Sequence, residues 1–307
     1  MNRFEYVIAS SLDEAVEALG TGRSAILKAS GLDVLDLWKS GIEQPERIVS
    51  IHAVSGLIGI RREGNTVRIG AGATLAEIAA SGVVREALPA LAQAAEEAAT
   101  PAVRTRATLG GNLCQRPRCW YFRHPDFRCL KKGGAECYAR EGENEFHAIF
   151  GNETCAAVHP SNTAVPLVAY GAVAHTTRRE IPLERFFVSE PQRENVLEHG
   201  EIIREVQVPV PQAPSAYVEI RHKASFDWPL ASAAVVLGDD PRVVLGGVAT
   251  VPMRHREAER ALARGDAPEA ARLATAGARP LAKNRYKVSL VEVVVRRAIA
   301  RAREAGR

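Results

Sequence analysis

Outside residues 114–155 this 307-residue chain has no cysteine, and within that stretch it has all five. Aromatic residues are scarce, at 6%, which argues against a stacking platform for nucleic-acid bases. No apolar run approaches the length that spans a bilayer, so no membrane association is expected. Charge of one sign is not in excess either. The net charge is +4, and the Arg-rich tail (Arg296, Arg297, Arg301, Arg303) is interleaved with Ala298, Ala300, Ala302 and Glu304, like the wet face of a last helix. Nucleic-acid binding is therefore not expected. The opening residues, Met1 to Glu5, lack the basic head and apolar body of a secretory signal. A cytoplasmic location is the expectation, with export on a partner's signal as the alternative.

The cysteines run Cys114-x4-Cys119-x9-Cys129-x7-Cys137-x17-Cys155. Disulfide knots belong to small secreted domains that cannot build a core, and this chain is long enough to build one. Zinc draws its thiolates from close C-x2-4-C pairs, and Cys114 and Cys119 are slightly too wide for that. Long, irregular gaps suit a loop that wraps a larger object. A [4Fe-4S] cluster takes four thiolates and tolerates irregular spacing, leaving one of the five spare. Trp120, Tyr121 and Phe122 follow Cys119 and would exclude water. Arg116, Arg118, Arg123, Arg128, Lys131 and Lys132 would offset a negative cluster. A zinc-stabilised binding protein, and five idle thiols in a solvated loop, stay open at this point. His124, His147 and His159 read as ordinary loop histidines rather than ligands.

Three units are expected. Residues 1–55 read as a small α/β unit, with a capping box at Ser11–Glu14, a helix ended by Gly20 and Gly22, and a strand at Ala25–Leu27 that runs into Ala29-Ser30-Gly31. Residues 56–210 form a second unit. It has strands near 57–62 and 66–70, a second capping box at Thr74–Glu77, an Ala-rich helix near 88–98 and a Gly-rich loop before the cysteines. The sulfur-rich insertion covers 113–156. Proline-rich residues 209–214 read as a linker, and 215–307 as an α+β unit with strands at 217–221, 231–237 and 242–248, a helix near 256–264 and a terminal helix from Ser289.

These pieces together resemble the FAD-binding (medium) subunit of molybdenum hydroxylases, the xanthine dehydrogenase family, over nearly the whole chain. The family's early loop matches Ala29-Ser30-Gly31-Leu32-Asp33-Val34. Its Ala-Thr-x-Gly-Gly-Asn motif is intact as Ala107-Thr108-Leu109-Gly110-Gly111-Asn112. Later matches are Leu245-Gly246-Gly247-Val248-Ala249 with Pro252-Met253-Arg254, Arg279-Pro280-Leu281 and Asn284-Arg285-Tyr286-Lys287-Val288. The cysteine segment is similar to the insertion in the flavin subunits of 4-hydroxybenzoyl-CoA reductase and of a bacterial aldehyde oxidoreductase, which carries an extra [4Fe-4S] cluster.

The resemblance implies an α+β fold: a two-subdomain FAD-binding region followed by a smaller α+β C-terminal domain. It implies FAD held by Lys28, Ala29, Ser30, Gly31, Leu32, Asp33, Thr100, Thr108, Gly110, Gly111, Asn112, Asn162 and Lys223. It implies a [4Fe-4S] cluster on Cys119, Cys129, Cys137 and Cys155, with Cys114 spare. Partners would be a [2Fe-2S] subunit and a molybdopterin subunit, with an external carrier such as ferredoxin beyond them. The chain would then be an oxidoreductase subunit for electron transfer, with no catalytic residue of its own.

Four positions depart from the family pattern. Ser30 replaces a glycine, Leu32 a threonine, Asn162 an aspartate and Glu219 a lysine. An iron–sulfur relay that has lost its flavin is the runner-up these departures leave open.

Overall fold

The computed structural model describes residues 2–22, 24–223 and 226–306. Five strands of four or five residues go to the first two sheets within the first 70 residues. β1 (Glu5–Ile8), β2 (Ala25–Lys28) and β3 (Arg47–Ser50) form a parallel sheet in the order β1-β3-β2. Parallel neighbours need crossovers, and the helices Leu12–Leu19 and Val34–Lys39 supply them. Ser11 caps the first helix by accepting from the Glu14 backbone, but the Glu14 carboxylate returns to the Ser10 backbone N–H and hydroxyl, not to Ser11. The expected reciprocal box is thus half-formed. At Thr74–Glu77 both arms are present.

The second sheet is antiparallel. β4 (Ile60–Glu63), β5 (Thr66–Gly70), β6 (Val173–Thr176), β7 (Glu180–Pro182) and β10 (Ile203–Pro209) take the order β4-β5-β10-β6-β7. Chain neighbours β5 and β6 are more than a hundred residues apart, and that interval holds the Gly-rich loop and all the cysteines. The helix Pro89–Glu97 buries Ala90, Leu91, Ala92, Ala94 and Ala95, and small side chains let it lie close to its neighbours. β8 (Phe187–Glu190) and β9 (Arg193–Asn195) make a hairpin.

The third sheet, β11 (Ser215–Arg221), β12 (Pro229–Val236), β13 (Arg242–Gly246) and β14 (Met253–Arg254), is an antiparallel meander covered by the helix Tyr286–Ala305. That helix begins three residues before Ser289. One large core spans the first two sheets and reaches Tyr217, Ala234 and Val244 of the third; a second lies between the third sheet and its helices. Among the described residues no helix is long and apolar enough to cross a membrane.

Candidate functional site

Where the three units meet there is a cleft of about 990 Å³, at the upper end of ligand-site sizes. Ala29 to Asp33, Thr108, Gly110 to Asn112, Asn162, Phe226 and Trp228 all line it. Eleven of the thirteen residues expected to contact a cofactor therefore line one space; Lys28 and Lys223 do not. The Lys28 ammonium turns to the Ala29 carbonyl (3.3 Å) and lies over the Tyr6 ring (5.6 Å to centroid). Lys223 is exposed, with its backbone N–H donating to Asp227.

The two loops owe their shape to their own packing. Gly31 has φ +91°, a conformation that L side chains avoid, and a Cβ there would come within 3.0 Å of Leu35. Gly110 donates to the Ala71 carbonyl at 2.8 Å, and a Cβ would press on that strand end at 3.1–3.2 Å. The Thr100 and Thr108 hydroxyls accept from the Val103 and Gly111 backbones and cap short helices. On the lip, Ala99 sits at φ +48°, held by Arg104, which donates to the Ala98 and Ala99 carbonyls at 2.9 Å.

Two amides in the cleft are fixed in opposite senses. The Asn112 carbonyl accepts from Ser161 Oγ (2.6 Å) and Thr163 Oγ1 (2.7 Å), which leaves its amino group for a ligand. The Asn162 amino group donates to Glu219 Oε2 (2.8 Å), and Asn162 itself is buried. Burial raises the Glu219 carboxyl, opposed by the hydrogen bond from Tyr217 and the charge of Arg221. Burial likewise lifts Tyr217 well above the ordinary phenol range.

Asp33 faces the cysteine segment. It accepts from the Arg116 backbone at 2.8 Å and pairs with Arg118 (2.9 Å) and Arg123 (2.6 Å). Arg116 in turn bridges Glu43 and Glu194, both at 2.7 Å. Lys131 is buried, donating to the Glu190 and Arg193 carbonyls (2.6 and 2.8 Å), with Glu194 at 3.2 Å. Arg116, Arg118, Arg123 and Lys131 are paired with carboxylates that clamp the segment to the first sheet and the β8–β9 hairpin, and the Lys131 charge also favours the Cys155 thiolate. Arg118 also lies over the Trp228 ring (5.2 Å), so it touches Asp33 at the end of the Ala29–Asp33 loop and Trp228 beside the third sheet together. That convergence was invisible in sequence, because nothing local relates Asp33, Arg118 and Trp228.

The cysteine segment is not a solvated excursion. Cys129 and Cys155 are 6% exposed, and Phe122 is buried against Leu37 and Cys129, worth about 2–3 kcal/mol for a ring of that size. Its distal part is stitched to the third unit: the Arg279 backbone donates to Ile149 (2.7 Å), Asn284 to His147 (3.1 Å), and Lys287 Nζ to Phe146 and Gly247 (2.9 and 2.8 Å). Cys119 lies close enough to Cys129 and Cys137 for their charges to raise it, after burial, to about 11. A hydrogen bond from Cys155 lowers Cys137 to about 6 and pushes Cys155 up. His147 Nε2 is 3.2 Å from Cys119 Sγ, and burial lowers that imidazole to about 4. Cys114 stands apart against the main core, where burial alone pushes its thiol up to about 12. Among the described residues no three His, Cys, Asp or Glu side chains converge closely enough to hold a single metal ion.

An α+β architecture of a parallel sheet, an antiparallel sheet and a C-terminal meander, with a cleft lined by two glycine-containing segments, defines a cofactor-binding subunit of the flavoprotein kind. The chain belongs to the family described as the FAD binding domain in molybdopterin dehydrogenase, whose model matches residues 2–211. It is 33% identical to the aldehyde oxidoreductase FAD-binding subunit PaoB of Escherichia coli (strain K12), over 99% of each chain. It is 31% identical to the carbon monoxide dehydrogenase medium chain of Hydrogenophaga pseudoflava, over 76% of this chain and 69% of that one. A solved structure of the carbon monoxide dehydrogenase from H. pseudoflava superposes with a TM-score of 0.77 at 28% identity, covering 98% and 97% of the two chains. Quinoline 2-oxidoreductase from Pseudomonas putida 86 shares the fold at 23% identity and a TM-score of 0.78.

Proposed function

We propose that this chain is the FAD-binding electron-transfer subunit of a molybdenum-hydroxylase-type complex. Substrate chemistry would lie on a molybdopterin partner, and electrons would reach or leave this chain through a partner carrying [2Fe-2S] clusters. The reading adds a [4Fe-4S] cluster on Cys119, Cys129, Cys137 and Cys155, and an external carrier such as ferredoxin. The units proposed for these roles are 1–55 and 56–210 for FAD, 113–156 for the cluster and 215–307 as the C-terminal cover.

FAD supplies the conversion between two-electron and one-electron steps. This chain's residues would bind and orient it. The Ala29–Asp33 loop and the Thr108–Asn112 segment offer backbone at close range, Asn112 offers a donor, Asn162 an acceptor, and Phe226 and Trp228 add aromatic rings to the lining. The intact cleft favours this reading over a relay that has lost its flavin.

What supports the cluster is the packing of the segment: Cys137 and Cys155 are hydrogen-bonded neighbours, Cys119 lies near Cys129 and Cys137, and Cys114 packs instead against the main core. Tetrahedral zinc with ~2.3 Å bonds would require its thiolates about 3.8 Å from one another. A cubane spreads four thiolates over four different irons, which suits neighbours that interact without converging on one point. Cofactor analysis of the purified complex tests the whole proposal. About four irons and four sulfides with one FAD per copy of this chain are expected; stoichiometric zinc, or flavin-free protein, would reject it.

A further inference from the structure

Two departures from the family pattern, Asn162 and Glu219, are one contact. We propose that Glu219 is a positioning residue for the cofactor cleft: by holding the Asn162 amino group it presents the Asn162 side-chain carbonyl to bound FAD as a hydrogen-bond acceptor. The inference rests on the FAD reading above and deepens it.

An ionised carboxylate only accepts, so the Asn162 amide must turn its amino group toward Glu219 Oε2, 2.8 Å away. Tyr217 reinforces this. Its single hydroxyl proton goes to the same Glu219 oxygen at 2.6 Å, so toward Asn162 Nδ2, 3.4 Å away, its oxygen can only accept. Glu219 is itself fixed. Its side chain is 2% exposed, Arg221 Nε stands 3.3 Å from its other oxygen, and the same guanidinium reaches Glu97 at 2.6 Å. The orientation thus traces back to the end of the helix Pro89–Glu97. Asn162 lines the cleft, and its side-chain carbonyl oxygen accepts no hydrogen bond among the described residues. Asn112, on the same cleft, is fixed the other way round by Ser161 and Thr163. The pair offers one donor and one acceptor, which complements a ring edge with adjacent C=O and N–H groups, such as the pyrimidine edge of a flavin.

The test is FAD titration of the full chain stripped of flavin. Glu219→Lys puts a donor where an acceptor stood and turns the Asn162 amide around. About tenfold weaker FAD binding is expected from losing one oriented hydrogen bond. Asn162→Asp on top should restore binding to within about threefold, since a carboxylate offers an acceptor either way round and pairs with the lysine. A parallel cycle covers the case in which a buried lysine prevents folding. In Glu219→Gln the carbonyl is drawn to Arg221 and the amino group faces Asn162, so FAD binding weakens several-fold; in an Asn162→Leu background the same change adds nothing. Equal weakening by Glu219→Gln in both backgrounds, or wild-type affinity in Glu219→Lys, overturns the positioning role while leaving the FAD reading intact. Failure of the unaltered chain to bind FAD overturns both.

Discussion

Asp33 and Arg123, ninety positions apart, are joined by a 2.6 Å ion pair, and both side chains are largely buried, at 17% and 15% exposure. The same carboxylate also holds Arg118 and the Arg116 backbone. The loop that shapes one wall of the cleft is therefore anchored to the cysteine segment, and the two candidate cofactor sites share a strut.

Asp33→Asn should accordingly weaken both sites together. It leaves three donors facing a neutral amide, a loss of about 2–3 kcal/mol by analogy with one-sided removal of a charge-assisted network. Urea unfolding should register that loss, and FAD affinity and iron content should fall in the same variant. Unchanged iron content beside weakened flavin would show that the strut does not couple the sites.

The cysteines separate by role. Cys129→Ser and Cys137→Ser should lose iron and acid-labile sulfide. Cys114→Ser should keep both, because that thiol packs against the main core away from the others. A normal iron complement in Cys129→Ser would remove it from the ligand set.

Much of the architecture was legible because it rests on local chemistry. The Thr74–Glu77 box and the helix after Pro89 lie where propensity and spacing put them, whereas the expected Gly-rich loop folds as two short helices, Pro101–Arg104 and Leu109–Leu113, each capped by a threonine hydroxyl. The four-residue strands Glu5–Ile8 and Arg47–Ser50 were not legible, since runs so short carry too little alternation and are fixed by parallel pairing. Part of the site was also hidden. Asn162 and Glu219 read as two unrelated departures, and only the antiparallel pairing of β11 with β12, which sets Glu219 opposite Ser232, brings the carboxylate under the turn that carries Asn162. Nor could sequence show that Asp33, Glu43 and Glu194 face the basic residues around the cysteines.

Ala99 on the cleft lip carries backbone strain. An L-residue in the left-handed region costs roughly 1–2 kcal/mol, and Arg104 holds it there. Ala99→Gly should leave stability unchanged or raise it by up to about 1 kcal/mol, relief of strain exceeding the added chain entropy. Ala99→Val should destabilise by about 1–2 kcal/mol and weaken FAD, because a β-branched residue resists that conformation next to Thr100. Equal melting temperatures for alanine, glycine and valine at this position would refute the strain.

Lys287 supplies a pH test of the contact between the cysteine segment and the third unit. It is fully buried, donates to the Phe146 and Gly247 carbonyls, and burial lowers its ammonium to about 7. In the unfolded chain a lysine titrates near 10.4. Between these values the unfolded state binds more protons, so this residue makes stability rise with pH from about 7 toward 10, by at most about 1.4 kcal/mol per unit. Below pH 7 the lysine is charged in both states and that contribution is gone. Lys287→Met cannot titrate and leaves two carbonyls unpaired. Its deficit against the unaltered chain should therefore be largest near pH 9–10 and shrink steadily toward pH 6. Unfolding both proteins in urea across that range reads the difference directly, and a deficit that stays constant with pH would show that Lys287 is buried with its charge intact.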